Sequence, residues 1–264
     1  MTSYRKFCAQ FKFDPSKHLM VGVEREAFLV RNGKIAPIAQ EVLVELPDRN
    51  RYGYELSACQ LESRVGPVHI SDLKEALLTN EREIKAVEKK LHFRRSHMEV
   101  APRSMPLDVY PDPTGRYAEI TSNMPQPTLL AACRVVGTHV HVGMPNHDIA
   151  LEIYNMVVGD CAELCVMGDG SDGKRLRIYK KMAPDYRPVT YKNWEHFYHE
   201  SVEKGFVDDP RRCWHLIRIS KHGTLEFRMF GATSSINRIV GWAEHCHKLC
   251  DHTYGCRRDL NCFG

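Results

Sequence analysis

The sequence predicts the α+β class, and three observations predict it. Gly137-Thr138-His139-Val140-His141-Val142-Gly143 alternates imidazole with valine. As a strand it places His139 and His141 on one face and Val136, Val140 and Val142 on the other. Three further strand-like segments divide in the same way, with carboxylates or arginines in front and apolar side chains behind. Other segments carry the 3.6-residue apolar repeat of helices.

Composition narrows the class. The chain of 264 residues is 43% hydrophobic and 27% charged, as expected of a globular protein with a sizeable core. It reads as one domain over residues 1–264. No apolar run approaches the ~20 residues that span a bilayer, and no signal-peptide core follows the first residues. These features predict a cytosolic setting without a membrane partner, in which the ten cysteines remain thiols. A net charge of +4 admits an anionic substrate such as a nucleotide without demanding a nucleic acid.

In chain order, residues 19–30 (LMVGVEREAFLV) form the first strand. Gly22, Glu24, Glu26 and Phe28 share one face, opposite Val23, Arg25, Ala27 and Leu29. Two carboxylates on one strand face repel unless a cation lies between them, so Glu24 and Glu26 are candidate metal ligands. Asn32-Gly33 supplies a hairpin turn. Residues 52–62 (YGYELSACQLE) read as a second acidic strand, with Gln60 and Glu62 on one face. Glu55 has the opposite parity and joins them only if the strand bulges or begins after it. Residues 72–91 follow as an amphipathic helix with Leu73, Leu77, Ile84, Val87 and Leu91 inward and Ser71 or Asp72 as its cap.

Four prolines between Ala101 and Gly115 predict a loop crossing back over the sheet, or a linker. A helix from about Asn146 to Met167 is apolar nearly all round and should be buried, with Cys161 and Cys165 as packed thiols. Residues 168–174, GDGSDGK, approach the phosphate-binding pattern G-x-x-x-x-G-K. Arg175 stands where magnesium binding needs Ser or Thr, the loop follows a helix, and Asp169 and Asp172 would repel phosphates. A mobile loop is expected instead, followed by basic residues that either line a nucleotide cleft or form a solvated edge. Residues 214–220 and 224–230 flank Lys221-His222-Gly223 as a hairpin. Glu226 and Arg228 share a face, suited to holding a phosphate beside a metal. The last helix, from about Ser234 to Cys250, carries Ile236, Ile239, Val240, Ala243, Cys246 and Cys250 on one stripe. His245, Cys246, His247, Cys250, His252, Cys256 and Cys262 suggest zinc, but the spacing and the apolar stripe favour thiols.

Taken together, Glu24-Arg25-Glu26, the Glu55–Glu62 segment, His139-Val140-His141 and TLEFR (224–228) make the chain resemble the carboxylate–amine ligases. The family is that of glutamate–cysteine ligase, within the glutamine synthetase superfamily, whose shorter members include phage-type amidoligases. CRVVGTHVHVGMPN and W-x-x-I-R ahead of GTLEFR carry the likeness most clearly, and it extends from about Gly22 to Phe230. The resemblance implies a glutamine synthetase-like catalytic domain: a curved, mainly antiparallel sheet with helices on its convex face. It implies ATP and Mg²⁺ or Mn²⁺ as cofactors, and an amide formed through an acyl phosphate from a glutamate-like carboxylate and an amine, free or on a macromolecule. It further implies that Glu26, Glu55 and Glu62 hold one ion and that Glu24, His139 and Glu226 hold another. Arg218 and Arg228 would serve the transferring phosphoryl group, and His141 would support a ligand or contact the nucleotide. Two other readings of the residues stay open: phosphoryl transfer to another acceptor, such as a guanidino group, and a non-catalytic, zinc-stabilised binding protein.

Overall fold

The computed structural model describes residues 2–261, side chains through Asp251. Its elements are α1 (Tyr4–Cys8), β1 (Val21–Arg31), β2 (Lys34–Ile35), α2 (Ala39–Glu45), β3 (Tyr52–Tyr54), β4 (Gln60–Val68), α3 (Leu73–Leu91), β5 (Arg94–Ser96), α4 (Arg116–Thr121), α5 (Gln126–Cys133), β6 (Gly137–Gly143), α6 (His147–Val157), α7 (Cys161–Gly168), α8 (Lys174–Met182), α9 (Trp194–Glu203), β7 (Ile217–Ser220), β8 (Thr224–Gly231) and α10 (Ile236–Asn261). All strands join one sheet of order β3-β4-β1-β6-β8-β7, with β2 and β5 also paired to β1. Every pairing is antiparallel. Among the described residues no helix is long and apolar enough to cross a membrane.

Alternation decides which face is covered. Val21, Val23, Val140, Val142, Leu225 and Phe227 are fully buried against α1, α6, α7, α9 and α10 in the main core. A second cluster packs Leu29 and Leu61 against α2 and α3 through Val42, Leu43, Ile84 and Val87. Arg25 lies among these apolar neighbours. It reaches Glu81 of α3 at 3.4 Å, and Glu81 also receives Arg95 at 2.8 Å. A buried guanidinium needs such partners.

Helix α3 matches the expected span, but Asp72 makes no side-chain cap; a 3₁₀ turn (Ile70–Asp72) leads in, and His92 closes the helix at φ 52°. The expected helix over 146–167 is two helices, broken by a 3₁₀ turn (Val158–Asp160) around Gly159. It is not buried all round: Met156 and Val166 are exposed, and Cys161 and Cys165 are only partly covered. The expected strand over 52–62 is two strands, β3 and β4, separated by a turn at residues 55–59. The proline-rich segment does cross back over the sheet. Ala101 and Met105 bury against Phe28 of β1, and α4 and α5 follow, two helices that the sequence pattern did not reveal. Cys246 and Cys250 are fully buried on the inner face of α10. The side chains of His252 and Cys256, and all of Cys262, lie outside the described residues.

Candidate metal and phosphate site

The face of the sheet opposite the main core gathers the polar side chains. In the β1–β6 pairing Glu24 stands opposite His139, and in the β1–β4 pairing Glu26 stands opposite Glu62. In the β6–β8 pairing His141 stands opposite Glu226, which also faces Arg218 across the β7–β8 hairpin. Five strands thus bring to one place residues that are far apart in the chain.

His139 is at the centre. Its Nδ1 lies 3.2 Å from Glu24 Oε2 and 4.0 Å from Glu226 Oε1, and its Nε2 lies 3.6 Å from Glu26 Oε1. Glu24, His139 and Glu226 each offer one donor atom, all within 4.8 Å of one another. Two carboxylate oxygens and one imidazole nitrogen make a donor set suited to a hard or borderline divalent cation. The buried atoms here that lack a hydrogen bond include His141 Nε2 and Arg228 Nε, as expected where a ligand completes the site. The residues therefore fit a divalent ion with an anionic group beside it.

Electrostatics divide the carboxylates into two sets. Burial opposes the charge of Glu226, yet Arg218 and Arg228 hold it well below the usual carboxylate range. Arg218 donates to both of its oxygens, at 2.7 and 2.9 Å, and Arg228 donates to Oε1 at 3.0 Å. Burial also opposes the charge of Glu24, but His141 and His139 keep it ionised. Burial lowers His141, and Glu24 and Glu226 more than reverse this, so its imidazole is raised. On the other side, burial and the charge of Glu24 push Glu62 up to about 8. Burial and Glu62 push Glu55 up as well, and the two carboxyls share a hydrogen bond. A like-charged pair of this kind retains a proton unless a cation replaces it.

All the expected residues except Glu55 lie on the sheet itself. Glu55 sits in the turn before β4 and still reaches Glu62, because the strand begins after it. Four further residues escaped the sequence reading. Arg64 pairs with Glu62 and lies against Gly53, where a Cβ would come within 2.2 Å of its Nη2. It falls two residues after Glu62, so period-two alternation was a usable signal. Tyr117 of α4 lies near enough to Glu55 and Glu62 that burial and their charges raise its phenol. Thr224 Oγ1 lies 2.9 Å from His141 Nδ1. Trp214 covers the Arg228 guanidinium with its ring at 5.5 Å.

The 168–174 loop is no phosphate loop, and it is fastened rather than loose. Asp169 accepts from the Ser171 N–H at 3.1 Å and the Gly173 N–H at 2.6 Å, occupying amides a phosphate would need. Arg175 turns inward instead of lining a cleft. A cavity of about 520 Å³ opens beside Glu24 and His141, bounded by Lys12, Lys17, Arg64 and His222. A smaller one of about 160 Å³ lies between Glu226, Arg211, Arg218 and Lys221. Both are lined partly by cations and suit an anionic ligand.

Comparison with known proteins points the same way. No family model matches the chain. It is similar to a protein of Gloeobacter violaceus named "Putative glutamate–cysteine ligase 2", 28% identical over 121 residues, 40% of this chain and 32% of that one. The glutamate–cysteine ligase of Haloferax volcanii is 26% identical over 127 residues, 43% of this chain and 36% of that one. A Leifsonia xyli protein with the same name as the first is 26% identical over 275 residues, 93% of this chain and 70% of its own length. The matches to the Gloeobacter and Haloferax proteins thus span about a third of those chains. Among solved structures, a bifunctional glutathione synthetase from Pasteurella multocida shares the fold. Its TM-score is 0.54 at 14% identity, over 87% of this chain and 38% of that one.

Proposed function

We propose that this chain, a relative of the glutamate–cysteine ligases, is an ATP- and divalent-metal-dependent ligase joining an amino-acid carboxylate to an amine. The observation that carries the reading is one sheet face on which Glu24, His139 and Glu226 form a metal-compatible set beside Arg218 and Arg228. Glu24, His139 and Glu226 would hold one ion, and Glu26, Glu55 and Glu62 a second. Mg²⁺ or Mn²⁺ there would neutralise charge on the β- and γ-phosphates of ATP.

The protein's own groups then act as follows. Arg228, buried and fixed by Glu226, presents a guanidinium edge where charge develops on the transferring phosphoryl group. Arg218 is more fully engaged by Glu226 and keeps that carboxylate ionised and oriented. His141, raised by Glu24 and Glu226, adds a donor at the mouth of the smaller cavity. In the reaction, an oxygen of the substrate carboxylate bonds to the γ-phosphorus of ATP and ADP departs. The amine nitrogen then bonds to the acyl carbon, phosphate leaves with the C–O bond electrons, and the amine gives up a proton. The carboxylate substrate is glutamate-like, and the amine is free or borne on a macromolecule.

The test is ADP and phosphate release with glutamate and a panel of amines, with product mass measured. Release that requires both partners, with a product lighter by one water than their sum, supports the ligase. ADP release with a phosphorylated product and no amide indicates transfer to another acceptor. No nucleotide turnover with any pair removes the proposal.

A further inference from the structure

The β6–β8 pairing has an irregular register. Two steps along β6, from Thr138 to Val140, correspond to three along β8, from Phe230 to Phe227. The additional residue makes a bulge at Arg228-Met229. A bulge removes carbonyls from the ladder, and buried carbonyls need donors. Here one side chain supplies them. Arg175 of α8 donates from Nε to Val136 O at 2.9 Å, from Nη1 to Met229 O at 3.0 Å and from Nη2 to Arg228 O at 3.1 Å. The Arg228 N–H donates to Leu216 O at 2.8 Å, so the peptide groups on both sides of its Cα are held.

We infer that Arg175 is a positioning residue of the candidate site, acting on Arg228 through the bulge carbonyls and on Glu26 through the Val136–Gly137 peptide. Four observations support it. Arg175 is only 5% exposed, and among the described residues no carboxylate pairs with it within 4 Å. Its buried charge is spent on backbone carbonyls, a use that matches a planar, multi-donor fork and not a point charge. Space is kept for it: a Cβ on Gly137 would lie 2.2 Å from Arg175 Nη2. Gly137, next to the carbonyl that Arg175 holds, donates its N–H to Glu26 Oε2 at 2.7 Å. The bulge also has a directional effect. It lets Phe227 and Phe230 both bury fully on the helix side while Arg228 stays with Glu226 on the polar side. A one-residue slip would exchange those faces.

The inference rests on the ligase reading only for its kinetic readout. Arg175→Lys and Gly137→Ala should each be measured alone and combined with Arg228→Ala. Expected is a fall in kcat on the order of 10–100-fold, the range typical of supporting partners, with the KM for ATP changed less than about 3-fold. In the Arg228→Ala background either change should cost clearly less than in the wild type, because only the part that acts through Glu26 remains. Hydrogen exchange should quicken across residues 224–231 and stay unchanged across residues 73–91. Equal losses in both backgrounds, or wild-type kcat and exchange in Arg175→Lys, would overturn the inference. If Arg175→Lys does not fold, Gly137→Ala decides alone. If the wild-type protein turns over no nucleotide, the ligase reading fails and exchange decides: faster exchange at 224–231 sustains the positioning role, and unchanged exchange refutes it.

Discussion

Replacing Glu62 by Gln should flatten the pH dependence of stability in the metal-free protein. Glu62 is 5% exposed, and burial with Glu24 nearby raises its carboxyl from 4.5 to about 8. In the unfolded chain it ionises near the ordinary value. Between these limits the native state binds more protons than the unfolded state, so stability falls as pH rises. Burial holds His97 and His215 near 4, and both act oppositely, raising stability as pH rises to about 6.5. The buried thiols begin to matter only towards their ordinary 9.0. The window free of these opposing groups is about pH 6.5 to 8; Glu55 and His141, also raised, add losses of the same sign there, so the share of Glu62 is the difference between wild type and Glu62→Gln. Across it one retained proton is worth at most about 2 kcal/mol, from ~1.4 kcal/mol per pH unit. For a chain of this size that corresponds to roughly 4–8 °C in Tm. Thermal melts in EDTA should show the wild type losing more than Glu62→Gln between pH 6.5 and 8, by up to this amount. Saturating Mg²⁺ should flatten the wild-type slope, the cation taking the place of the proton. Parallel slopes for wild type and variant would refute the raised carboxyl.

Other expectations follow from the same geometry. Glu26→Gln should abolish ATP turnover while the circular dichroism and melting of the protein stay near wild type; full turnover would remove Glu26 from the site. Arg228→Ala should lower kcat by about 10²–10³ with a smaller effect on the KM for ATP, and Arg228→Lys should restore little of it. Combined with His139→Ala, the loss should be less than the product of the single losses, because the two side chains flank one group; strictly multiplicative losses would separate them. Cys246 and Cys250 should react with a thiol reagent only on unfolding, and rapid labelling of either in the native protein would contradict the packing of α10.

Much of the site could be read from alternation alone. Glu24, Glu26, His139, His141 and Glu226 sit on regular strands, where a two-residue period assigns faces without knowledge of the partners, and Arg228 keeps the parity of Glu226 although it lies in the bulge. Alternation fails where the chain leaves the ladder. Glu55 lies in a turn, so its parity meant nothing, and its contact with Glu62 depends on how that turn folds back. Arg64 continues the pattern of β4 and was legible in principle, but the strand expected to end at Glu62 runs on to Val68. Arg175 had no periodic signal, because its role comes from a bulge on a strand fifty residues later. The apolar run over 146–167 hid the break at Gly159, and α4 and α5 lay in a segment whose prolines suggested only a loop. Such local signals cannot reveal a tertiary cover that forms over the sheet.

The strand order has a kinetic consequence. Of the strands that carry the site, only β7 and β8 are neighbours joined by a tight turn; Glu24 and His139 meet across 115 residues of chain. Long closures of this kind are slow, and they bring no ligand together until β6 has docked between β1 and β8. The polar face is therefore one of the last features to form during folding. A cation or nucleotide added to a refolding mixture should leave the folding rate nearly unchanged and act on the opposite step, lengthening the lifetime of the folded state.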